Sequence, residues 1–409
     1  MPTALHFGRD QRVALDLSDE SIVADNTHTS LDTIDDPSSA IQDALRDPVE
    51  FPTIEAMVLS DDLVAIALQP DLACAPELVA GAVEAVTNAG VPPELIQIVR
   101  DASDKSISDA KLMSKVDAAI RERIAIVRHD SDDREQLSFL GASKDGQAFY
   151  VNRTLCDASV VIPIGFHRNH ASCLGVHNSW FPVFADKETQ GRFAQSVASV
   201  SSKKISKCEK ECEEAAWMLG VQMVVQLIPA GDGRAMQVIA GAPNAVWQKS
   251  TQLADDAWQV KLNRRASLVI AAIGGGPEQQ TWDNVAQSID MALDAVEVDG
   301  AIAICSQLKT KPGPALRRLA GAEDFEAADR AILKKPTPDS LAASRLNRAL
   351  QRARVYLLSE LNESDVEDLG VAFVSDASEI SRLTSQHESC LVLQNAQHVS
   401  ISLDERVEN

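Results

Sequence analysis

Residues 63–99 read LVAIALQPDLACAPELVAGAVEAVTNAGVPPELIQIV, and this stretch decides the fold. An apolar run of strand length stops at Pro70. An amphipathic stretch of helical period follows and stops at Gly90, and a second apolar run closes the unit. Strand, helix and strand in that order predict a parallel pair with a crossover. The pattern recurs in looser form downstream. A helix near AKLMSKVDAAIRER precedes RIAIVRHD, and the stretches AFYVNRTL and ASVVIPIGF read as further strands of the same unit. A helix over about 203–218 and a hairpin around Gly231-Asp232-Gly233 complete it.

Farther along, SLVIAAIGGGP, GAIAICSQ, VYLLSE and CLVLQNAQ are apolar strands, with a helix over WDNVAQSIDMALDAV. They define a second unit of the same kind. The expected architecture is therefore α/β, with two doubly wound domains of largely parallel strands and a cleft between them. The boundary is expected between about 245 and 265, giving domains over 1–255 and 256–409. Before residue 52 the chain is acidic and weakly patterned, with an alternating stretch at Val13–Leu17 that reads as an edge strand of an N-terminal arm.

Composition limits the partners. The 409 residues carry 60 acidic and 38 basic side chains, a net charge of −22, so most of the surface repels phosphate backbones and nucleic acid is not expected. No apolar run reaches the roughly 20 residues of a membrane span, and the N-terminus shows no secretory pattern. The expectation is a cytoplasmic protein without a membrane partner. Its seven cysteines are scattered; Cys208 and Cys212 stand at helical spacing without a second pair, which matches no zinc motif.

Ligands of open α/β sheets bind beyond the carboxyl ends of the strands. Three strands end in reactive side chains: Arg100-Asp101, Arg128-His129-Asp130, and His167-Arg168-Asn169-His170. The last begins a segment holding His167, His170 and His177 beside Arg168, Ser172 and Cys173. Imidazole is suited to proton transfer near neutral pH, and an adjacent guanidinium is a carboxylate clamp. His129, Asp104 and His170 are expected to converge on the interdomain cleft. For His129-Asp130 a structural polar pair is the competing reading, because neighbouring strand residues point to opposite faces. Gly274-Gly275-Gly276-Pro277 follows a strand and precedes a helix, where backbone N–H groups cradle anions; a plain tight turn explains it equally.

These pieces carry a resemblance. In order come His129-Asp130, Leu140-Gly141-Ala142-Ser143 as a turn, Gly146, Asn152-Arg153, Asp157, and Ile164-Gly165 leading to His170. IAAIGGGPEQQ and GAIAIC follow. In order and separation the set resembles the nickel-dependent lactate racemase family, almost end to end. The resemblance implies a 2-hydroxy acid racemase or epimerase using a nickel-pincer nucleotide held covalently on a lysine, with paired histidines moving the hydroxyl proton. It places His170 on a catalytic histidine, His129 on the strand-end pair and Asp104 where a second histidine is expected. Arg168 or Lys105 would bind the substrate carboxylate, and Gly275 and Gly276 the cofactor. Asn178 stands where the pincer lysine belongs, so covalent attachment is not expected; the metal ligands are unassigned. The alternative is a non-catalytic relative binding a small metabolite or nucleotide in the same cleft.

Overall fold

A computed structural model of the chain describes residues 3–18, 20–27, 31–104, 106–168, 174–199, 201–322 and 324–404. Its first sheet has six strands in the order Arg234–Gly241, Val224–Gly231, Val160–Phe166, Val64–Leu68, Ile96–Asp101 and Ala125–His129. All neighbours are parallel except the hairpin formed by the first two. Val64–Leu68 is buried along its whole length, as a central strand covered on both faces must be, and this explains its unbroken apolar run. The helix Ala75–Asn88 lies on that sheet through Leu78, Val79, Ala82, Val83 and Val86. Each such side chain contributes about 1.5–3 kcal/mol by leaving water. The helix ends beside Gly90, whose φ of 103° only glycine adopts freely, as the sequence predicts.

The second sheet is parallel throughout, in the order Ala372–Val374, Arg354–Leu358, Val296–Cys305, Ala266–Ala272, Cys390–Gln394 and Ile22–Asp25. Its last strand comes from the start of the chain. In addition, Thr3–Phe7 and Gln11–Leu15 form an antiparallel hairpin whose Leu5, Phe7, Val13 and Leu15 pack with Leu268, Ile270 and Val392. The expected N-terminal arm and the 1–255 grouping are corrected accordingly: residues 3–25 complete the C-terminal unit. A short edge strand carries no mark of a partner more than 350 residues away.

Two further expectations change. Ala148–Asn152 is not a strand of the main sheet; it pairs antiparallel with Leu137–Ala142 in a separate hairpin, and the following RTLCD is a short helix, Arg153–Asp157. Leu140, Gly141 and Ala142 lie within that hairpin strand rather than in a turn.

The helix Pro243–Trp258 ends the first unit, and Gln259–Leu262 then pairs with Ser400–Leu403 of the second. Hydrogen bonds tie the two units together. The Asp232 N–H donates to Asn395 Oδ1 at 3.2 Å. Ser344 Oγ reaches the Ala198 carbonyl at 2.7 Å. The carboxyl ends of both sheets therefore meet across one cleft. Among the described residues no helix is long and apolar enough to cross a membrane.

Candidate functional site

A narrow polar cavity lies in that cleft. From the first unit it is walled by Asp71, after Val64–Leu68, and by Phe166, His167 and Arg168, where Val160–Phe166 ends. The helix Trp282–Ala295 supplies Asp283, Asn284 and Gln287 at its N-terminal end; Glu278, Gln279, Gln397 and His398 come from the loops of the second unit. Strand-end loops from both sheets thus supply the polar wall, as the strand-end rule requires.

Arg168 is the one lysine or arginine among the described residues of this wall. Its guanidinium lies 4.5 Å from the centre of the Phe166 ring, and among the described residues it forms no ion pair. A stacked guanidinium that faces the carboxyl groups of the wall without a direct ion pair among the described residues can take a ligand carboxylate. Asp71 faces the same space in the left-handed region, φ 56°, which aspartate tolerates better than most residues. Burial pushes its carboxyl up to about 6, with Asp104 adding repulsion and Arg168 opposing. Asp283 is open to cleft water yet surrounded by protein, and desolvation raises it too, against the pull of Arg168 and Arg345.

The histidines divide. His167 is 2% exposed, packs on Trp247 with ring centres 4.8 Å apart, and burial pushes it down to about 4. Gln226 lies close enough to oppose that shift, but neither ring nitrogen completes a hydrogen bond. His398, beside Trp258, is held down to about 3 by burial and by Arg168. His177 accepts from the Trp180 indole at 3.4 Å and is likewise pushed down to about 4 by burial.

Of the expected site residues, His170 and Lys105 lie outside the described residues. Asp104 is close enough to act on Asp71, but its carboxylate is paired with Arg100 at 3.1 Å. His129 does not line the cleft. It is 1% exposed, with Nε2 at 3.0 Å from the Ala185 carbonyl and Nδ1 at 3.3 Å from Asn152 Nδ2, so its described contacts are those of a structural pair. Its strand end is at the right edge of the sheet, but its side chain packs into protein.

Asn178 lines a smaller adjoining cavity, which shares Phe166 and Arg168 with the first. Gly275 donates its N–H to the Gly8 carbonyl, and a Cβ there would stand 2.7 Å from Gln279 Cγ. At Gly276 a Cβ would meet the Glu278 carboxylate at 2.6 Å. The φ of 95° at Gly275 and the approach of Gly233 N and Gln279 account for that glycine without a ligand, whereas at Gly276 only the flexible end of Glu278 stands near. Asp71, Asp283 and His398 went unassigned in the sequence, although Asp71 and His398 follow strands and the same strand-end rule reaches them.

The buried imidazoles predict an acid-sensitive fold. Each is neutral when folded and binds a proton near pH 6.5 when unfolded, so its stabilising contribution is complete above 6.5 and is lost as pH falls toward 4. At about 1.4 kcal/mol per pH unit per group, His167 and His177 together lower stability by several kcal/mol over that span, partly offset by Asp71. Thermal melts from pH 7 to 4.5 should fall steeply, and less steeply in His177→Gln. A flat wild-type profile would contradict this.

Two doubly wound units directing their strand ends at one polar cavity define a two-domain α/β protein with an interdomain site. Residues 7–189 match the model of the lactate racemase N-terminal domain family. Over 98% of this chain and 100% of the other, the fold is similar to the lactate racemase apoprotein of Thermoanaerobacterium thermosaccharolyticum, with a TM-score of 0.78 at 16% identity. A protein from Thermotoga maritima superposes with a TM-score of 0.68 at 14% identity, covering 90% and 99% of the two chains. Curated protein sequences include no match.

The described residues do not fit a lysine-attached nickel nucleotide. Neither cavity wall holds a lysine, and Asn178 occupies the position that the resemblance gives to the attachment residue. Among the described residues no three His, Cys, Asp or Glu side chains are grouped to hold a metal.

Proposed function

We propose that this protein binds a small 2-hydroxy carboxylate between its domains and racemises or epimerises it by proton transfer at Cα, with Arg168 clamping the carboxylate, Asp71 taking the Cα proton from one face and a second acid returning a proton to the other. The observation that carries the reading is the Arg168 guanidinium, without a direct ion pair among the described residues, sharing one wall with a carboxyl group raised to about 6. A base with that proton affinity is ionised at neutral pH and accepts a proton more readily than an ordinary aspartate. His167 and His398 are neutral there and offer hydrogen bonds without competing for the ligand's charge. His170 is retained as a second proton-transfer group on its sequence position alone. The match of residues 7–189 to the lactate racemase N-terminal domain family supports the substrate class.

A second reading, a non-catalytic metabolite binder, is favoured by Asn178 and by the lack of lysine in both described cavity walls. Each enantiomer of a panel of 2-hydroxy acids, incubated with the protein and resolved by chiral chromatography, separates the two. Interconversion of one member supports the enzyme. Saturable binding in calorimetry without interconversion supports the binder, and neither signal would sink both.

A further inference from the structure

The wall of the cleft is charged in a way that a plain hydroxy acid does not match. Among the described residues of the wall, three carboxyl groups, Asp71, Glu278 and Asp283, stand against the guanidinium of Arg168, and Arg345, which acts on Asp283 from outside the wall, is already paired with Asp290. His167 and His398 add no positive charge near neutral pH, and the whole chain carries −22. A ligand with only a carboxylate satisfies Arg168 and leaves the carboxyl groups facing one another and the incoming anion.

Two amide side chains report the same imbalance independently. Gln287 is 4% exposed and Gln397 is 7% exposed; both line the cavity, and the Oε1 of each is buried without a hydrogen-bond partner among the described residues. The Gln397 amide nitrogen donates to the Gly274 carbonyl at 3.1 Å, which fixes the amide's orientation and leaves its oxygen as an acceptor. Buried acceptors of this kind are unfavourable until a donor reaches them. Neutral hydroxyl groups offer donors, but only a cation also meets the carboxyl groups.

We infer that the preferred ligand of the cleft is a 2-hydroxy carboxylate that also carries an ammonium group, bound with its carboxylate on Arg168 and its ammonium among Asp283, Asp71 and the carbonyl oxygens of Gln287 and Gln397. This rests on the carboxylate-clamp reading of Arg168 and extends it to the other end of the ligand. Selection works by charge. The ammonium supplies three N–H donors and removes the repulsion that a second hydroxyl leaves in place.

Calorimetry on the full chain at pH 7.5 tests it with ligands differing at one substituent: 2-hydroxypropanoate, 2,3-dihydroxypropanoate and 3-amino-2-hydroxypropanoate, with the four-carbon 2,4-dihydroxy and 4-amino-2-hydroxy homologues. The amino member of one or both pairs is expected to bind at least about 10-fold tighter than its hydroxyl counterpart, the worth of one charge-assisted contact. Asp283→Asn should cut that preference to under about 3-fold. Asp71→Asn is the second variant, and circular dichroism establishes that each is folded. If the hydroxyl members bind as well as the amino members, the inference is overturned while the carboxylate reading stands. Amino preference that survives intact in both folded variants overturns the assigned residues. If no ligand binds, or binding is indifferent to Arg168→Ala, the underlying reading falls as well.

Discussion

Arg168→Ala is expected to weaken binding of a small 2-hydroxy carboxylate by roughly 100-fold or more, while the protein still folds. Removing one partner of a desolvated, hydrogen-bonded charge pair costs about 2–5 kcal/mol, and every 1.4 kcal/mol is tenfold in affinity. No other lysine or arginine is present among the described residues of the main cavity wall to take over. The cost to the fold is small because the described contact that is lost is the half-exposed stacking on Phe166, worth about 0.5–1 kcal/mol. Arg168→Lys restores the charge without the planar fork, so it should recover only part of the affinity. Calorimetry for binding and thermal melts for folding check both statements. Wild-type affinity in Arg168→Ala would place the carboxylate elsewhere.

Asp71→Asn is expected to reduce turnover by roughly 10²–10⁴-fold, the usual worth of a positioned proton-transfer group, and at the same time to raise the melting temperature at neutral pH. The two effects share one cause. Burial, with Asp104 behind it, lifts the Asp71 carboxyl to about 6, so the folded protein holds its proton more tightly than the unfolded chain does. For an acid shifted upward, folding is favoured below the unfolded value near 4, and that advantage is lost as pH rises through 6. At pH 7 the charged carboxylate is therefore a liability of roughly 1–2 kcal/mol after allowance for solvent that reaches it. Asparagine removes the charge and tolerates the left-handed φ of 56° as well as aspartate does. Wild-type kcat/KM should fall about tenfold per pH unit below 6 as the acceptor becomes protonated. A melting temperature that rises at pH 7.5 but not at pH 4.5, together with lost turnover, is the expected pair. Unchanged turnover would remove Asp71 from the chemistry, and lower stability at pH 7.5 would contradict its burial as a charge.

Both residues illustrate where a sequence reading carries and where it stops. The apolar run LVAIAL, the stop at Gly90 and the hairpin glycines around Asp232 are local signals, and each element formed where its pattern indicated. Arg168 was legible because it follows ASVVIPIGF at a strand end. His129 follows a strand equally well, yet its ring is enclosed by Ala185, Asn152 and Phe184. Strand position sets which edge of the sheet a residue reaches; the packing of a distant segment sets where its side chain goes.

Periodicity, strand-end position and ordered motifs by themselves determined that this chain forms two parallel-stranded α/β units of the lactate racemase kind, and that Arg168 stands at the mouth of a strand. They act over a few residues, or are inherited in order along the chain, so one dimension holds them. Only the tertiary structure decided that residues 3–25 complete the second sheet, that Asp283 and His398 face Asp71 across the cleft, and that Gly275 serves close packing. Those outcomes depend on surfaces brought together from hundreds of residues apart. The burial that sets a side chain's proton affinity is a property of that assembled space.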